Sequence, residues 1–161
     1  MSEELSLVLS PDAISLQSRG DASQVYGRIA VSHVALTTLY FEGESINPSR
    51  LEQAIEWTED RIQAAKAAIP PGAALFTNEE DLRELARVSG VPESADMLLH
   101  VDAVEATFSR LVMQAFGQAP HQESLPTSAR FFATVVFTRE LMHHLNFPQI
   151  HVLPHADAAP F

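Results

Sequence analysis

Between Asn47 and Gly72 the chain marks out one long helix together with both of its ends, and any fold has to be built around it. Asn47 offers a side-chain oxygen to the free backbone donors of a helix start, and Pro48 stands where a missing N–H is no loss. Leu51, Ala54, Ile55, Thr58, Ile62, Ala65 and Ile69 then recur on one face at about 100° per residue. Glu52, Glu56, Glu59 and Asp60 point mainly away from it, and Pro70-Pro71-Gly72 stops the helix. An apolar stripe of this kind has to be covered, so the rest of the chain must supply matching faces.

Several segments answer that need. Thr77 and Glu80 have capping-box spacing, and Leu82, Leu85 and Ala86 follow as a buried face closed by Gly90 and Pro92. Val101, Val104, Phe108, Leu111, Val112 and Ala115 predict a helix over 95–116, ended by Gly117 and Pro120. Phe131, Val135, Met142 and Leu145 trace one side of a last helix, widened by Phe132, Val136, Phe137 and Leu141. That breadth suits a central helix or a contact between two copies. Residues 121–128 read as a polar connection, and a boundary between units would fit near 117–126, although composition does not change across it.

Signals for β structure are fewer. Leu5–Leu9 and Ile14–Leu16 flank Ser10-Pro11-Asp12-Ala13, which predicts a hairpin over 5–18. Ile150–Leu153 reads as a short strand confined by Pro148 and Pro154. Residues 24–41 are ambivalent. Val25, Ile29, Leu36 and Tyr40 suit a helical face, while Val31, Val34, Thr37, Thr38 and Phe41 are residues that strands prefer. We read the segment as helix, with Gly27 counting against it. The expected fold is α+β: a predominantly helical single domain over 1–161 with a short N-terminal β-hairpin.

Composition narrows the function classes. Hydrophobic residues make up 46% of the 161, enough for a core without covalent staples. Twenty-one acidic against ten basic residues give a net charge of -11, which repels the phosphate backbone, and no polybasic tail or base-reading motif offsets it. Nucleic acid is therefore not an expected partner. No cysteine is present, so thiolate catalysis and Cys-ligated metal are excluded. The acidic start Met1-Ser2-Glu3-Glu4 lacks the features of a signal peptide, and no apolar run approaches membrane-spanning length. A cytoplasmic protein with no membrane partner is the expectation.

Chemistry-bearing side chains concentrate at one place, where His143 and His144 are followed by His151 and His155. Glu140 and His144 are four residues apart and share a helical face, with His143 at its side. Zinc or another divalent metal would need such imidazoles and carboxylates arranged around one point. In a metal-dependent hydrolase, His143, His144, His151 and His155 are the candidate ligands, Glu140 is the candidate base, and Asp157 could orient an imidazole. The spacing is not His-Glu-x-x-His. His33 and His100 have no serine–acid arrangement beside them, Thr127 and Ser128 suit caps and turns, and the isolated glycines form no phosphate cradle. The leading expectation is a small acidic binding or accessory protein acting through a helical surface. It is expected to need no cofactor and to form a homodimer through the Phe131–Leu145 helix, with a protein partner. The metal-dependent hydrolase is the alternative.

Overall fold

The computed structural model describes residues 2–42, 46–117 and 125–155. Its centre is a mixed six-stranded sheet: β1 (Glu4–Leu9), β2 (Ile14–Ser18), β3 (Val25–Ile29), β4 (Ala74–Thr77), β5 (Met97–His100) and β6 (Gln149–Val152). The spatial order is β3-β2-β1-β4-β6-β5. β1, β4 and β6 run parallel, while β2, β3 and β5 pair antiparallel to their neighbours. The helices are α1 (His33–Leu36), α2 (Pro48–Ala65), α3 (Glu80–Val88), α4 (Val101–Ala115) and α5 (Ala129–His144). A π-helical turn, Thr37–Phe41, continues α1.

The sheet corrects the expectation of a predominantly helical molecule with a short hairpin. The hairpin exists, with Leu7 opposite Leu16, but it is one half of a meander that β3 extends and β4 joins on the other side. Residues 24–41, read as helix, divide instead: Val25–Ile29 pairs with β2, and the helix begins only at His33 behind its cap Ser32. Gly27 lies 3.4 Å, by way of a notional Cβ, from the Ile69 side chain, so a close approach of strand to the α2 region uses its missing side chain. The helix expected over 95–116 also divides, its first residues forming β5. Four-residue strands such as Ala74–Thr77 and Met97–His100 are too short to show a period, and long-range pairing decides them.

Strand alternation sorts the side chains. Leu5, Leu7, Ile14, Leu16, Leu75, Met97, Leu99, Ile150 and Val152 are buried and join the helical core. Ser6, Gln17, Phe76, His151 and Leu98 occupy one cross-strand row on the other face. α5 is the central helix: Phe131, Phe132, Val135, Val136, Phe137 and Leu141 are all buried, and it contacts α2, α3 and α4. Its breadth of hydrophobicity is thus accounted for by core burial within one chain. The sequence placed α2 and α5 well because their caps are local: Asn47 and Ser128 each accept the expected N–H. α3 starts later than the capping box implied, behind Glu79, because Thr77 is the last residue of β4 and donates its hydroxyl to Leu7 O. Among the described residues no helix is long and apolar enough to cross a membrane.

Candidate functional site

Two sites arise from the two ends of the parallel strands. α5 runs from the carboxyl ends of β1 and β4 to the amino end of β6, so its first turn and its last turn serve different places.

At the amino end, three helices bring polar residues together. Glu59 on α2 and Glu140 and His144 on α5 place one ligand atom each within 4.8 Å of one another. His144 Nε2 lies 3.4 Å from Glu140 Oε1 and 3.7 Å from Glu59 Oε1. Glu140 is 4% exposed, and its second oxygen accepts from Arg139 Nη1 at 2.7 Å. Arg139 also forks onto Glu105 of α4 at 2.8 and 3.2 Å, and its guanidinium covers the Phe108 ring. His143 Nε2 lies 3.0 Å from Glu105. The fork from Arg139 holds the Glu105 carboxyl below its usual range, with His143 adding to the effect against a smaller opposing contribution from burial. For Arg139, burial works against the charged form, but the two carboxylates outweigh it and hold the guanidinium's proton more tightly.

This cluster fits a divalent cation by charge and by donor type. With neutral imidazoles, Glu59, Glu105 and Glu140 oppose the single positive charge of Arg139, an excess of two negative charges. Two carboxylates and an imidazole are ligands that zinc and other first-row divalent ions accept, and three protein ligands leave a position for water. His144 Nδ1 lies 2.9 Å from Gln63 Nε2, which donates to it in the ring tautomer that carries its proton on Nε2. A metal held by Nε2 would displace that proton, and the ring would then carry its proton on Nδ1, where the Gln63 amide, rotated, would present a carbonyl acceptor. A neighbouring Thr58 hydroxyl and the Thr138 hydroxyl are buried without a hydrogen-bond partner.

The four histidines singled out by sequence do not converge. His144 is in the cluster, and His143 is beside it on Glu105. His151 stands on the sheet, stacked on Phe76 with ring centroids 4.4 Å apart and paired with Asp96 at 3.1 Å. His155 is exposed beyond β6, and Asp157 lies outside the described residues. Glu140 turns one oxygen to His144 and the other to Arg139. Glu59 was missed, since only the packing of α2 on α5 joins it to residues 81 and 85 positions later. Its sequence signal was that of a solvated helix face.

At the carboxyl ends of β1 and β4 lies a crevice of about 230 Å³ lined by Leu9, Ser10, His33, Glu79, Asp81 and Arg130. Open α/β sheets characteristically bind ligands there. Here the polar groups are already partnered. Arg130 donates to both Asp81 oxygens at 2.8 and 2.7 Å, Leu9 N–H donates to Glu79 at 3.1 Å, and His33 Nε2 meets Thr134 Oγ1 at 2.7 Å. Burial lowers the His33 pKa, with Asp81 opposing and Arg130 assisting. Burial raises that of Asp81, but the Arg130 fork and the neighbouring charges outweigh it and leave the carboxyl below its ordinary range.

No family model matches the chain, and no curated protein matches it either. Solved structures do. The Ppx/GppA phosphatase of Aquifex aeolicus, in its type II variant, is similar with a TM-score of 0.70 and 12% identity, covering 96% of this chain and 54% of that one. An exopolyphosphatase from Cytophaga hutchinsonii is similar with a TM-score of 0.66 and 10% identity, covering 95% and 53%. An exopolyphosphatase-like protein gives 0.68 and 11%, covering 96% and 55%. The chain therefore spans about half the length of these structures. The mixed six-stranded sheet they share with this chain corrects the predominantly helical fold, and the helix that motivated a binding surface is core. What the likeness establishes is architecture: the mixed sheet and its helices are the fold of one half of a Ppx/GppA phosphatase structure.

Proposed function

We propose that this chain is a hydrolase domain for phosphate esters or phosphoanhydrides, with Glu59, Glu140 and His144 as its divalent-metal centre. The observation that carries the proposal is the convergence of a buried carboxylate, a second carboxylate and an imidazole from two helices around one point. The phosphatase names of the structural neighbours supply the substrate class. A divalent ion in this position would polarise a phosphoryl oxygen and acidify a bound water. The chain's own residues have separate tasks. Arg139 fixes one oxygen of Glu140 and so directs the other toward His144, Gln63 orients the imidazole, and Glu105 fixes Arg139. The carboxyl-end crevice is a weaker reading for the same chemistry because Asp81 already takes the guanidinium that a phosphate would need.

Tag-free protein titrated with zinc and with manganese tests this. One ion per chain should bind, and hydrolysis of a chromogenic phosphomonoester or of inorganic polyphosphate should depend on it. Glu140→Gln and His144→Ala should lose both metal and activity while keeping the circular dichroism of the parent. Folded protein that takes up no metal, or activity that survives both substitutions, would sink the assignment.

A further inference from the structure

A third cavity, independent of both sites above, is bounded by the π-helical turn, α4 and the first turn of α5. Its volume is about 460 Å³, within the range of roughly 300–1,000 Å³ typical of small-molecule sites. Phe41, Ile46, Leu111 and Phe132 give it an apolar body, with the Phe41 and Phe132 rings in tilted contact at 5.1 Å. Thr37 and Thr127 bring hydroxyls, and Glu42 brings the one ionised side chain among the described lining residues. Neither arginine, lysine nor histidine lines it among those residues.

The geometry points to a binding site for a small cationic amphiphile, an amine on an aromatic or short aliphatic body. The apolar body takes the hydrocarbon, and Glu42 supplies the counter-charge. The same charge, on a chain of net charge -11, opposes carboxylates and phosphates. The cavity thus differs from the metal centre in the charge of its ligand as well as in place. The wall is also unusual. Thr37 and Phe41 come from a π-helical turn, a rare geometry that is frequent at functional sites.

Phenylbutylamine and phenylbutyrate, matched in body and opposite in charge, are the probes. Binding is read by calorimetry and by shifts of backbone amide resonances. The amine should bind more tightly by at least about threefold, the scale of a partly exposed ion pair. Glu42→Arg, at an exposed position, should leave the fold unchanged and invert the preference toward the carboxylate. Ala115→Phe, which puts a ring into the cavity, should abolish binding of both. If the wild-type protein binds neither probe, or binds both equally, the site is not as described. A preference that survives Glu42→Arg in protein shown by its spectrum to be folded would overturn it as well.

Discussion

His33 is buried between Phe137, Thr134 and Asp81, which ties its protonation to folding. Its pKa in the folded state lies below the ordinary value of 6.5, chiefly through burial. The unfolded chain therefore takes up a proton that the folded one refuses. Stability should be full above about pH 6.5 and should decline as pH falls from there toward the lowered folded value. Asp81 is also depressed, so its contribution is present above its unfolded value of 3.8 and is lost as pH falls through the folded one. Urea titrations across this range should show two separate acid losses. His33→Gln should remove the upper one and leave the lower. A stability profile flat between pH 7 and pH 5 in the parent protein would reject this account of His33.

At the scale of elements, the α2 stripe can be tested for phase. Leu51, Ala54, Thr58 and Ile62 are its fully covered positions, whereas Ile55 is only partly covered, one step round the helix from where the period was centred. Ile62→Ala should cost roughly 2–4 kcal/mol in denaturant titration, and Ile55→Ala less than about 2 kcal/mol. Equal costs would mean that the helix is rotated. Ser128 caps the central helix through its bond from Phe131 N–H, and Ser128→Ala should cost about 0.5–2 kcal/mol. What was legible in sequence follows the same division. Asn47, Pro48 and Ser128 encode helix starts locally, so α2 and α5 could be read. β3, β4 and β5 take their identity from partners far along the chain, and a helical period in Val101–Ala115 masked the strand joined directly to it. The candidate centre was half legible for the same reason. Glu140 and His144 are one helical turn apart, while Glu59 reaches them only through tertiary packing.

For the whole molecule, β6 is decisive because it lies between β4 and β5. It carries Ile150 and Val152 into the core and pairs on both sides, and Arg83 reaches the carbonyl of Val152 from α3. Ending the chain at Pro148 should detach β5 from the sheet and expose the β4 edge and the underside of α5. Loss of a cooperative thermal transition is the expected result. A truncated protein that melts as sharply as the parent would show that the sheet holds together without its inner strand.

That position of β6 also sets a schedule for biosynthesis. β4 leaves the ribosome some 75 residues before its inner neighbour, which at about 5–20 residues per second is a wait of roughly 4–15 s. A hairpin such as β1–β2 closes in microseconds, so the first four strands are ready while Ala74–Thr77 still lacks a partner on one side. For those seconds the nascent chain offers a short apolar strand edge to any other extended segment, including the same segment on a neighbouring polysome. Slower translation through α4 and α5 would lengthen that exposure, and a chaperone that recognises extended apolar segments would have its natural substrate there.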